Sequence, residues 1–152
     1  MRFFTADLLR RMSASPGPDV QAAITEWAAA TSRYQELIER DRATLPRVLL
    51  ATQLQGLTLE RVELDALTGQ LIVVATNGAH AVSVNHIEVS EIEICVGPRG
   101  DVGTSPSNFG AIAANEILVE GEGLRRHAIL LDSGGSVQCT FKDVVVSTLK
   151  RS

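Results

Sequence analysis

The stretch FGAIAANEILVEGEGLRRHAILLDSGGSVQCTFKDVVVST, residues 109–148, decides the fold. Its apolar residues alternate with polar ones, β-branched side chains dominate, and GEG (121–123) and SGG (133–135) interrupt it. That grammar predicts three strands, FGAIAANEILVE, LRRHAILLD and VQCTFKDVVVST, joined by tight turns. Connections this short leave no room for a parallel crossover, so the three form an antiparallel meander.

Working outward, TLERVELD (58–65) and LIVVAT (71–76), joined by ALTGQ, read as a hairpin. The segment HAVSVNHIEVSEIEICV (80–96) is less regular. Val82 and Val84 share one face, Ile87 and Val89 have the opposite parity, and Ile92, Ile94 and Val96 return to the first. Phase slips at Asn85-His86 and Ser90-Glu91 predict bulges or turns there. Residues 97–108, GPRGDVGTSPSN, are the longest loop signal.

Before Gly56 the period changes to that of a helix. Thr5 is placed to cap a short helix, ADLLRRM, and SASPGPD then supplies breakers and a second cap, Asp19. From Val20 onward, Ala23, Ile24, Trp27, Tyr34, Leu37 and Ile38 recur at three- and four-residue steps, predicting an amphipathic helix of about 22 residues with a Glu36–Arg40 pair. Pro46 ends it and starts a short turn of helix in RVLLATQL. The expected fold is α+β in one domain (1–152). N-terminal helices (1–55) pack on a curved antiparallel sheet (56–152) of about six or seven strands, a meander or partial barrel.

Composition excludes more than it selects. The 152 residues are 45% hydrophobic and 21% charged, with a net charge of -4. Residues 1–56 carry 7 basic and 6 acidic side chains; residues 57–152 carry 7 and 12. An acidic chain with six aromatics, four of them in the first 34 residues, suits neither phosphate backbones nor stacked bases, so nucleic acid is not an expected partner. No apolar run is long enough for a membrane span and no export signal is visible, so the expected setting is the cytoplasm. Cys95 and Cys139 fit neither a zinc site nor a disulfide scaffold. Cys139, in phase with Val137 and Phe141, reads as buried; Cys95 reads as partly exposed.

The candidate polar residues are His80, His86, Glu88, Glu91 and Glu93. On a regular strand His80, His86 and Glu88 share a face, and an imidazole beside a carboxylate is the arrangement of an acid/base pair or of two metal ligands. The slip at Asn85-His86 argues against that geometry and for histidines at the surface or in a bulge. A third ligand is missing, His127 being distant in sequence, so no metal or cofactor is expected. Glu91 and Glu93 alternate with Ile92 and Ile94 as a half-solvated sheet requires, as Glu63 and Asp65 do with Val62 and Leu64. Arg99-Gly100-Asp101 matches an adhesion triplet by coincidence, and no GxSxG, GK[ST] or GxGxxG motif is present.

Several features, in order along the chain, resemble an uncharacterised bacterial domain family of unknown function. They are Phe3-Phe4-Thr5, the helix with Trp27 and Tyr34, Leu45-Pro46, Leu54-Gln55-Gly56, Asn115-Glu116-Ile117 and Phe141-Lys142-Asp143-Val144. Where the family tends to carry Leu-His-Asp, this chain has Leu54-Gln55-Gly56, so a polar site on that His-Asp pair is not implied here. The resemblance implies the fold and a bacterial cytoplasmic setting and names no reaction.

The expected function is that of a non-enzymatic protein-interaction module, of the immunity type, meeting a basic protein through an acidic sheet face. The alternative is a small-molecule binder with a pocket between the sheet and the Trp27 helix, suggested by the excess of small apolar residues over aromatics. An enzyme using His80, His86 or His127 with a carboxylate ranks third, and an uncovered sheet edge would favour a homodimer.

Overall fold

The computed structural model describes residues 1–95 and 109–150, so loop 97–108 with its Arg-Gly-Asp triplet lies outside the described residues. Three helices come first: α1 (Ala6–Met12), α2 (Pro18–Asp41) and α3 (Arg47–Leu50). Thr5 caps α1, its hydroxyl accepting the Leu8 N–H at 3.1 Å. α2 begins one residue before the expected cap. Gly17 is its N-cap and Pro18 occupies the first turn, where a missing N–H costs nothing, leaving Asp19 to face the positive helix end. The guanidinium of Arg40 forms two hydrogen bonds with the neighbouring Asp41, at 2.7 and 2.8 Å, instead of the expected pair with Glu36. Pro46 caps α3, which stops after a single turn.

Eight strands follow: β1 (Thr58–Asp65), β2 (Gln70–Thr76), β3 (His80–Ile87), β4 (Glu91–Cys95), β5 (Ile112–Gly121), β6 (Leu124–Leu131), β7 (Ser136–Phe141) and β8 (Asp143–Lys150). The predicted hairpin and meander are present, but the single sheet of six or seven strands is not. The strands form two four-stranded antiparallel sheets, ordered β1-β2-β3-β8 and β4-β7-β6-β5.

The division has a local cause. VQCTFKDVVVST, expected as one strand, crosses from the second sheet to the first at Lys142, and β3 to β4 makes the matching crossing at Glu88–Ser90. Glu88 has φ 53, a left-handed conformation uncommon for a non-glycine residue, which turns the chain sharply. The two crossings stay paired: Lys142 N–H donates to the Ile87 carbonyl at 3.1 Å and Ser90 N–H to the Thr140 carbonyl at 2.9 Å. The slip expected at Ser90-Glu91 falls at this turn. The slip expected at Asn85-His86 does not exist, since β3 keeps register with β2 and β8 through His86.

One core joins the inner faces of both sheets: Leu59, Leu71, Val73 and Val84 from the first, Ile117, Ile129, Val137 and Phe141 from the second. Leu45, Leu49 and Leu54 close its end. Each of these large side chains contributes roughly 1.5–3 kcal/mol by leaving water. On the other face of the second sheet, Ala114 and Leu130 meet Phe4 and Ala30, with Trp27 and Tyr34 packed alongside. Phe4 stacks tilted on Trp27 at 4.8 Å and edge-on to Tyr34 at 5.7 Å. The aromatics of the first third therefore serve as the joint between helix and sheet. The first sheet is also tied to the start of β5, through a bridge between Thr58 and Ala111. There Gly110 has φ 101, and a Cβ would collide with the Asp132 carboxylate that accepts the Ala111 N–H at 3.0 Å.

Candidate functional site

Three arrangements of polar side chains bear on function. The first is a histidine pair that neither strand announces alone. His86 on β3 is in phase with Val82 and Val84, so it points into the core; His127 on β6 does the same from the facing sheet, and both are buried. His86 Nδ1 lies 3.1 Å from the Leu71 carbonyl, which can only accept, so that nitrogen carries the proton. His86 Nε2 then accepts from His127 Nδ1–H at 2.8 Å. This leaves His127 Nε2 as a bare acceptor with no partner among the described residues.

Burial holds both imidazoles neutral. It lowers the His86 pKa from 6.5 to about 4, against the opposing effect of the Leu71 carbonyl. It lowers the His127 pKa well below 6.5, and the charge that His86 would carry lowers it further. Phe141 packs edge-on against His86 at 4.9 Å. Across the ladder from His127 stands Cys139, buried as expected, its thiol pushed up to about 12 by burial, so it remains protonated. The pair is a polar tie between two sheets, sealed from substrate and water.

The expected surface position for His86 is therefore wrong. Taking Ile87 as the apolar position introduced a phase slip at Asn85-His86 that β3, regular through Ile87, does not have. His80 opens β3, exposed and opposite Lys150. Six residue steps along β3, roughly 20 Å, separate it from His86, so the two cannot share a metal. Glu88 sits in the turn, paired with Lys142 at 2.6 Å. Among the described residues no three His, Cys, Asp or Glu side chains converge as metal ligands.

The second arrangement comprises the acidic residues. Glu63 and Asp65 stand on β1 of the first sheet, Glu91 and Glu93 on β4 of the second, so the acidity is divided between sheets. Arg61 meets Glu63 at 3.6 Å and Arg126 meets Glu120 at 3.1 Å, which dilutes it further. Glu91 and Glu93 are exposed on the outer strand of their sheet, with Cys95, also exposed, beyond them. Glu116, unlike these, is wholly buried. One carboxylate oxygen accepts the Phe3 and Phe4 N–H groups at 2.6 Å each, and the other accepts that of Arg2 at 2.8 Å.

The third is a cleft of about 420 Å³ between α2, α3 with the segment after it, and β5. Phe4, Trp27, Ile38 and Leu49 form its apolar walls. Gln35, Gln53, Gln55 and Asn115 bring carboxamides to it, none of which bonds another described side chain. No described lining residue is charged. The phenol oxygen of Tyr34 accepts the Ile117 N–H at 2.7 Å. Burial raises its pKa to about 12, so the phenol keeps its proton to donate. The three glutamines and Asn115 carry no motif; the sequence pointed to a pocket beside the Trp27 helix only through its excess of small apolar residues over aromatics.

No helix is long and apolar enough to cross a membrane among the described residues. No family model and no curated protein matches the chain. Among solved structures it is similar to an uncharacterised protein from Neisseria gonorrhoeae, at 10% sequence identity and a TM-score of 0.49, covering 62% of this chain and 93% of that one.

Proposed function

We propose that this protein is a non-enzymatic binding module and that the cleft beside Trp27 receives an uncharged, hydrogen-bonding ligand. The observation that carries the reading is the lining: an aromatic and aliphatic wall with, among the described residues, four carboxamides without side-chain partners and no charge. The volume lies within the range of small-molecule sites. A neutral lining favours a neutral ligand, because a charged one would lose its hydration without gaining a counter-charge.

Trp27 is the only tryptophan, so its fluorescence reports on the cleft alone. Titration with a panel of uncharged sugars, amides and nucleosides is expected to shift its emission saturably for at least one class. Charged metabolites are expected to leave it unmoved. A panel that produces no saturable change, with no ligand retained in native mass spectrometry, sinks the reading.

A second reading keeps the immunity-type interaction with a basic protein. It is supported by β4, whose outer edge pairs with no strand among the described residues and which presents Glu91 and Glu93 beside an Ile94 that is 48% exposed. Such an association weakens as salt rises and is lost in the Glu91→Lys, Glu93→Lys double variant. Binding of a purified basic partner that charge reversal leaves unchanged would remove this reading.

A further inference from the structure

The outer edge of β5 is covered in two places and open between them. At one end, Ile117 N–H donates to the Tyr34 hydroxyl. At the other, Ile112 N–H donates to the Leu57 carbonyl at 2.8 Å and the Ile112 carbonyl accepts from Gly56 N–H at 2.9 Å. From Ala114 to Val119 β5 pairs with β6 without a register shift. In an antiparallel ladder the N–H and C=O of alternate residues point to the same side, so Asn115, two residues before Ile117, presents both groups to the outer edge. That edge faces the cleft, which Asn115 lines, and no other described backbone segment bonds to it there.

An unpaired donor and acceptor on one strand residue is a template for another amide. A whole strand cannot add here, because Tyr34 and the Gly56-Leu57 turn occupy the neighbouring positions. The opening is one residue wide. We propose that the cleft takes its ligand through a planar secondary amide, whose N–H donates to the outward carbonyl of Asn115. The carboxamides of Gln35, Gln53 and Gln55 then serve the polar groups on either side of that amide, and Trp27 packs on its apolar substituent. The inference rests on the cleft being the binding site and adds the chemical class of what it binds. A peptide and an N-acetylated sugar are the two sources of such a group.

The test uses the full chain, isotope-labelled, with backbone amide NMR shifts and Trp27 fluorescence read together. The probes are a blocked alanine tripeptide, its counterpart with the central amide replaced by an ester, N-acetylglucosamine and glucose. One of the two amide probes is expected to shift the Asn115 N–H and Trp27 saturably, and which one does so identifies the source. Its amide-free counterpart, the ester or glucose, is expected to bind about fivefold or more weakly, the loss of one hydrogen bond with its partner left unpaired. Equal binding of amide and amide-free probes overturns the amide proposal and leaves the cleft as a binding site. No saturable shift with any of these probes or with the wider uncharged panel overturns both.

Discussion

Substitution of Glu116 by alanine is expected to cost about 3–5 kcal/mol, the largest effect of any single side chain outside the apolar core. The carboxylate is buried and accepts three backbone N–H groups, from Arg2, Phe3 and Phe4. Hydrogen bonds to a charged acceptor are worth about twice neutral ones, and a buried donor left without a partner costs about 1–3 kcal/mol. Part of that loss is offset, since the variant no longer buries a charge. Glu116→Gln keeps one accepting oxygen but turns an NH2 group toward donors, so its loss should be smaller. For a chain of this size the alanine variant's melting temperature should fall on the order of 10 °C. Because Phe4 stacks on Trp27, tryptophan emission should shift toward the red in the folded variant. An alanine variant within about 1 kcal/mol of the parent in urea unfolding would mean that residues 2–4 find other acceptors.

Acidification from pH 6.5 to 4 is expected to remove about 3 kcal/mol of stability through His86 alone, with His127 adding to it. Both imidazoles have folded-state pKa values below the unfolded value of about 6.5. Between the folded and unfolded pKa the unfolded chain binds more protons, so stability rises with pH there. It is complete above 6.5 and falls away as pH drops toward 4. Asp41, whose pKa is lowered by its hydrogen bond with Arg40, acts in the opposite charge sense and only below about pH 4. The two windows therefore separate. Urea unfolding at pH 7, 5.5 and 4.5 measures the slope, and His86→Leu combined with His127→Leu should flatten it, because the titrating pair is gone. A parent protein equally stable at pH 7 and 4.5 would show that the imidazoles are not held neutral.

The legibility of these features in the sequence varied with how local they are. α2 and the turns of the hairpin and meander were readable, since a 3.6-residue apolar period and glycine turns are written in neighbouring residues. The division into two sheets was readable in part: Val137, Cys139 and Phe141 point inward at odd numbers, but Val144 does so at an even one. That change of parity at Lys142 marks the crossing, and three consecutive valines disguised it. His86 was misplaced because an imidazole in a core position looks like a polar residue on the outer face, and only its partner on β6 reveals the difference. Glu116 was invisible for a stronger reason. Its partners are backbone N–H groups more than a hundred residues away, and a backbone amide has no letter in the sequence. The cleft depends on which strand edge lies uncovered, a property of topology.

The nesting of one sheet within the other has a consequence for how the chain assembles. Every strand of the β4-β7-β6-β5 sheet lies in sequence between β3 and β8, which pair with each other in the first sheet. Joining β3 to β8 directly would close a loop from Ile87 to Asp143, with an entropic penalty that grows with loop length. Once β4 has paired with β7, Glu91 is already beside Thr140, and only the short turn around Glu88 remains to be closed. The β3–β8 pairing then extends as a zipper from an existing end. Formation of the inner sheet thus turns the most distant pairing in the molecule into a local one, and gives folding a preferred order.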